Sequence, residues 1–239
     1  MRTIKSFIKF VLLMLGLFMC AVGILLAIHS GLGVSPWDSF HLGIAKHTNL
    51  SLGQVSQLVG VAIIVIDILM KQMPGRGTVL NMYFVGFFID LIEGYSLIPN
   101  VENIFGRVVM MLVGILLMGW GTFFYLNAGW GAGPRDGLML GLSRLLSTTV
   151  GRARTIIEAC VAACGFALGI RPGVGTLMTV LLVGPAVQSA YRIRRIDPKT
   201  VVHRTLIDDY RALVNLAAGR KDGPQPASQS KSRGAGYDQ

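Results

Sequence analysis

Charge is scarce in this 239-residue chain: Asp, Glu, Lys and Arg make up only 14% of it, against about a quarter of a typical soluble domain. Between Lys9 and Asp38 there is no such residue at all. That shortage excludes a disordered chain, a coiled coil and an ordinary soluble enzyme. Cysteine is scarce too, and three is an odd number, so a disulfide scaffold is excluded. No nucleophile–base pair, P-loop or HExxH motif is present, so neither enzymatic activity nor a cofactor is expected. Cys160 and Cys164 share a helix face, but no His or Cys cluster completes a metal site around them. They are read as packing residues.

What is present is apolar: 52% hydrophobic residues and a mean hydropathy of +0.59. The chain reads as an all-α polytopic membrane protein, with the lipid bilayer as its first partner. The net charge of +10 does not point to nucleic acid. Basic residues sit at the ends of apolar runs and not on a face with interleaved aromatics. Ten Lys/Arg against five Asp lie from Arg192 onward, so half of the excess is in the tail.

Six apolar runs are long enough to cross a bilayer: Phe7–Ile28, Leu52–Met70, Thr78–Ile98, Val108–Asn127, Ala153–Ile170 and Thr176–Tyr191. Two shorter segments, Pro36–His47 and Pro134–Ser147, reach only about 18–21 Å as helices. They are expected to be re-entrant or interfacial. Beyond Asp197 the pattern suggests an amphipathic helix through Val201, Val202, Leu206, Ile207, Tyr210, Leu213 and Val214, then a disordered stretch from Gly219 to Gln239.

The strongest signal is an internal repeat. Adding 98 to nine of the first ten glycines (16, 23, 31, 33, 43, 53, 75, 77 and 86) lands on another glycine, where chance would give about one or two. Only Gly60 fails, facing Glu158. Pro36, Asp38, Pro74 and Thr78 likewise match Pro134, Asp136, Pro172 and Thr176. The expected organisation is repeat one over 1–98, repeat two over 99–192, and a basic cytoplasmic tail over 193–239. Three spans per repeat is odd, so the second copy is expected to enter the membrane in the opposite sense. Most basic flanks agree with cytoplasmic N- and C-termini; Lys46, Arg107 and Arg171 dissent.

The repeat carries one polar motif, G-x-G-x-x-P-x-D, as Gly31, Gly33, Pro36, Asp38 and again as Gly129, Gly131, Pro134, Asp136. Its simplest role is helix punctuation: Ser35 or Gly133 as N-cap, proline at the first helical position, aspartate at the third. Two such helix starts meeting near the midplane would also attract an anion. Arg135, which replaces Trp37 of the first copy, adds a forked donor. The candidate substrate site is therefore Gly31, Gly33, Ser35, Pro36 and Asp38 with Gly129, Gly131, Gly133, Pro134, Arg135 and Asp136. Glu158 and Asp90 are candidates for proton or ion coupling. Glu158 has Arg154 four residues before it, and Asp90 has no evident local partner. Asp67 precedes Lys71 by four and reads as an i,i+4 pair. His29 and His41 read as an interfacial histidine and a low-ranked candidate.

The segment Gly129-Trp-Gly-Ala-Gly-Pro-Arg-Asp-Gly-Leu-Met-Leu-Gly-Leu, with Gly173-Val-Gly-Thr176 and Gly184-Pro185, resembles the YczE-like membrane proteins, bacterial integral membrane proteins related to the YitT group. The resemblance covers roughly residues 10–191, and the tail lies outside it. It implies a multi-pass protein of the bacterial cytoplasmic (inner) membrane and carries no substrate with it. Two functions are therefore weighed. One is a transporter or channel for a small anionic or zwitterionic solute. The other is a non-transporting accessory protein acting on a membrane partner or on lipid, with the basic tail as its candidate contact. The sequence leaves a homo-oligomer undecided.

Overall fold

The computed structural model describes residues 2–196 and, beyond them, 201, 205–208, 210 and 214. The expected disordered stretch and most of the expected amphipathic helix lie outside the described residues. The chain forms α1 (Arg2–His29), α2 (Pro36–His47), α3 (Leu52–Leu69), α4 (Arg76–Gly94), α5 (Ile104–Asn127), α6 (Pro134–Leu145), α7 (Val150–Ala167) and α8 (Val174–Ile193), with no strand among the described residues. Shifted by 98, the first four helices fall on the last four.

Five helices, α1, α3, α4, α5 and α8, are long and apolar enough to cross a membrane. The protein is a multi-pass membrane protein. The run expected over Ala153–Ile170 folds as α7, which is long enough but carries Arg152, Arg154 and Glu158 in its first half. Leu58, Val65, Leu116, Leu177 and Leu181 point outward on the other spans. Such a surface would aggregate in water and is at ease in lipid.

The core follows the seam between α1 and α5, closed by α4 and α8, with Leu25, Ile89, Met111, Ile115 and Ala186 at its centre. Glycines set the approach. A Cβ on Gly16 would lie 2.6 Å from the carbonyl oxygen of Gly121, and one on Gly121 2.6 Å from that of Gly16. Gly23 and Gly114 meet in the same reciprocal way, at 2.6 and 2.8 Å. As the residue number rises on α1 it falls on α5, so the two helices run antiparallel. Small residues let helix backbones touch, and dispersion and weak polar contacts do the rest in lipid.

The glycine turns then stitch the copies together. Gly31 ends α1 with φ +61° and Gly129 ends α5 with φ +70°, each in the left-handed conformation that closes a helix. The next residues offer their carbonyls to the other copy. Gly77 donates its N–H to the carbonyl of Trp130 at 2.7 Å, and Gly175 to that of Leu32 at 2.8 Å. Gly33 packs on Gly173 and Thr176, and Gly131 on Gly75 and Thr78, where a Cβ on either turn would come within 2.9 Å. Arg107 also has a structural task. Its guanidinium donates to the carbonyls of Ser30 (2.6 Å) and Gly31 (2.7 Å), which α1 leaves without an intrahelical donor.

The copies differ in one respect. α3 is zipped to α4, with Gly53 and Gly86 buried backbone to backbone and the Gln57 side-chain amide donating to the carbonyl of Tyr83 at 2.9 Å. Between α7 and α8 there is no such zip: at the equivalent Gly151 and Gly184, a Cβ would meet nothing within 4 Å.

Candidate functional site

The two short helices hold the site. α2 starts on Ser35, whose side chain accepts the N–H of Asp38 at 3.2 Å and whose hydroxyl donates to the Asp38 carboxylate. α6 starts on Gly133, whose N–H donates to the Asp136 carboxylate at 3.1 Å. Pro36 and Pro134 take the first helical turn, where no donor is needed. The helix-punctuation reading is thus what the backbone shows. Each aspartate sits against the partial positive charge of its own helix start.

The tips face a cavity of about 460 Å³, bordered by all eight helices. That volume suits a small organic solute. Ser35, Pro36, Asp38, Gly133, Pro134, Arg135 and Asp136 line it, and so does Glu158. Gly31, Gly33, Gly129 and Gly131 do not. Their role is the stitching between copies, because only a residue without a side chain fits those contacts. Asp90 is also away from the cavity. Its carboxylate accepts from the Ser51 hydroxyl at 2.6 Å and from the Gly53 N–H at 2.8 Å, tying the start of α3 to α4. These partners lie 39 and 37 residues away, so local inspection finds none.

Within the cavity Arg135 stands out. Its guanidinium lies 4.8 Å from the centre of the Trp37 ring. Asp38, Asp136 and Tyr125 are near enough to act on its charge. Yet among the described residues no carboxylate pairs with it, and none accepts a hydrogen bond from it. The two aspartates are held by their own helix starts, and Asp136 also accepts from the Tyr125 hydroxyl at 3.4 Å. Beside Arg135, the indole N–H of Trp37 and Nε2 of His41 are buried without a partner among the described residues, and these residues are 6% and 3% exposed. Asn81, Thr122, Thr179 and Gln188 add further polar lining. Trp37, His41 and Tyr125 therefore belong to the site, although only His41 stood out in the sequence, at low rank.

Other ionisable groups resolve differently. Glu158 accepts from Nε of Arg154 at 2.8 Å, as its i,i+4 spacing suggests. His29 pairs with Glu93 at 2.8 Å between the ends of α1 and α4. The expected Asp67–Lys71 pair does not form, because α3 stops at Leu69 and Lys71 turns away with φ +60°. Asp67 instead is buried against Gly137 of α6, with Oδ1 lacking a partner among the described residues. Cys160 and Cys164 are exposed on α7 and not packed in the interior.

Comparison with known proteins agrees with a membrane protein but supplies no activity. Residues 7–192 match a family model described as a family of unknown function (DUF6198). The "Uncharacterized membrane protein YczE" of Bacillus subtilis (strain 168) is 33% identical over 171 residues, which cover 71% of this chain and 79% of that protein. An "Uncharacterized protein" of Haemophilus influenzae is 35% identical over 177 residues, covering 74% and 80%. A third relative, the "Uncharacterized protein YyaS" of Bacillus subtilis, is 29% identical over 174 residues, covering 71% and 86%. No solved structure matches. With its helical repeats, its short paired helices and these relatives, the chain belongs to the DUF6198 family of membrane proteins, that of the YczE-like proteins.

Proposed function

We propose that the protein is a transporter or channel of the bacterial cytoplasmic membrane that holds a small anionic or zwitterionic solute between the tips of α2 and α6. In this reading six helices cross the lipid. α7 is the sixth, with Arg154 and Glu158 turned to the cavity. The two copies are inserted in opposite senses. The antiparallel α1–α5 seam and the exchanged bonds Gly77–Trp130 and Gly175–Leu32 support this. A twofold axis running along the helices cannot exchange antiparallel partners, whereas one lying across them, in the membrane plane, does. Lys71, Arg76, Arg144, Arg152, Arg192, Arg194 and Arg195 then share the cytoplasmic side with both termini. Arg107, on the other side, is engaged with the end of α1.

One observation carries the solute reading: a guanidinium with free donors inside the cavity, next to two buried unpaired nitrogens. A buried polar group without a partner costs about 1–3 kcal/mol. A carboxylate or phosphate oxygen arriving there would accept from the Trp37 N–H, and from His41 in its Nε2-protonated tautomer, and could take two parallel bonds from Arg135. Asp38, Asp136 and Glu158 in the lining would suit the amino end of a zwitterion. The apolar wall of Ile24, Ile63, Val85, Met118, Met139 and Val183 would cover a short hydrocarbon body.

The test is a thermal-shift screen of the purified full chain against small carboxylates, phosphates, amino acids and cations. A true ligand at 100 times its dissociation constant adds about 2.7 kcal/mol of stability. Its shift should vanish in Arg135→Ala and shrink in Asp136→Asn. A shift that survives Arg135→Ala overturns this site. No shift across the panel favours the accessory reading, with the basic tail engaging lipid or a protein partner.

A further inference from the structure

The asymmetry between the two copies has a use. We infer that the protein is an alternating-access carrier and not an open channel, and that this structure is its cytoplasm-facing state. In this assignment Ser51, Gly53, Gly86 and Asp90 form a closed outer gate, and Thr149, Gly151, Gly184 and Gln188 an open inner one. The inference rests on the opposed insertion of the copies proposed above, but not on the identity of the solute.

Ser51, Gly53, Gly86 and Asp90 correspond, 98 residues on, to Thr149, Gly151, Gly184 and Gln188. The parts are chemically equivalent: a hydroxyl at the helix start, a glycine two residues later, and on the facing helix a glycine and a side-chain oxygen acceptor. In the first copy the parts are assembled. Asp90 accepts from Ser51 and Gly53 at 2.6 and 2.8 Å, and a Cβ on Gly53 would lie 2.1 Å from the carbonyl of Gly86. In the second copy they are apart. Gly151 is exposed, Gly184 borders the cavity, and nothing lies within 4 Å of a Cβ on either. Gln188 is exposed and lines the cavity. The same hardware is therefore present at both ends of the cavity and engaged at only one.

Where a fold is built from two copies of one unit, the arrangement each copy adopts is accessible to the other. Exchanging the two arrangements would close α7 on α8 and release α3 from α4. The cavity would then open to the opposite side with Arg135 still inside it. Gly151 and Gly184 make sense on this view. They serve no contact here, yet their counterparts permit the tightest one between α3 and α4.

Cysteine pairs test this in membrane vesicles, on the full chain with Cys20, Cys160 and Cys164 replaced by Ser. The pair Ser51→Cys/Asp90→Cys reports the outer gate, and Thr149→Cys/Gln188→Cys the inner one. Both pairs should form disulfides under mild oxidation, the outer one several-fold faster. A wedge at the outer gate, Gly53→Leu, should raise inner-gate cross-linking several-fold. A wedge at the inner gate, Gly151→Leu, for which there is room in this state, should lower it by a similar factor. The second wedge does not disturb the packing seen here, so the test survives if the first fails to fold. Inner-gate cross-linking that never occurs, or that ignores both wedges, overturns the inference and leaves a fixed vestibule. Arg135→Ala should abolish solute shifts without changing either disulfide rate, so failure of the solute reading and failure of the gates are told apart.

Discussion

Gly77 and Trp130 are joined by a single backbone hydrogen bond of 2.7 Å that crosses from one copy to the other, and Gly175 and Leu32 are joined by its counterpart at 2.8 Å. The glycines beside these carbonyls have no room for side chains. At Gly131, φ is +119° and a Cβ would lie 2.8 Å from Gly75. Gly131→Ala combines backbone strain with overpacking, so it should cost about 3 kcal/mol or more. The expected outcome is loss of folded protein in detergent, measured by size-exclusion yield and melting temperature.

The α1–α5 seam predicts a contrast between glycines. Gly121→Ala should lower stability by about 1–3 kcal/mol, because its Cβ would press on the Gly16 carbonyl at 2.6 Å. Gly184→Ala, with nothing within 4 Å, should stay within about 0.5 kcal/mol of the parent. Paired thermal or chemical denaturation curves decide it. Equal losses at the two sites would contradict the packing described.

Arg107 holds two carbonyls that no helix amide reaches. Hydrogen bonds to charged groups contribute about 1.5–3 kcal/mol each when buried, and less where solvent competes. Arg107→Ala should therefore lose about 1–2 kcal/mol. Arg107→Lys should recover only part of that, since an ammonium lacks the planar fork. Melting temperatures of the three proteins, compared in one detergent, give the answer.

Asp90 separates a latch from a proton carrier. As a latch it accepts on both oxygens; Asp90→Asn keeps one oxygen for the Gly53 N–H and can donate its amide to the Ser51 hydroxyl oxygen, so it should keep most function, while Asp90→Ala loses about 1–3 kcal/mol. Should Asp90→Asn abolish uptake at an unchanged melting temperature, the carboxylate itself would be the working group, as its sequence position first suggested.

Trp37 lies under the Arg135 guanidinium at 4.8 Å. Such contacts contribute about 0.5–2 kcal/mol, and Trp37 also brings a buried N–H without a partner. Trp37→Phe keeps the ring and loses the N–H, so ligand affinity should fall modestly. Trp37→Leu loses both and should weaken binding by roughly 10-fold, about 1.4 kcal/mol. Calorimetric titration with the ligand found in the screen measures both.

Much of this architecture is visible in the sequence because its signals are local or periodic. The limits Pro36–His47 agree with α2, since proline opens that helix and the Thr48 side is marked by polar residues. The second short helix stops at Leu145, two residues before the expected Ser147. The site was legible where a motif wrote it: Asp38, Arg135 and Asp136 line the cavity. It was not legible where tertiary contact decides. Trp37 and His41 look like ordinary residues of an apolar helix until Arg135 arrives from α6. Arg107 reads as an exception to charge topology until the end of α1 is seen beneath it. The Asp67–Lys71 spacing suggests a pair only if the helix continues, and it ends at Leu69.

The crossing bonds between the turns bear on how such a chain arose. Taken alone, either copy would leave the carbonyl of Leu32 or Trp130 without the amide that meets it here. A single-length ancestor could have met those atoms by pairing with a second molecule of itself about a twofold axis. Gene fusion would then have made permanent an association that chemistry already required.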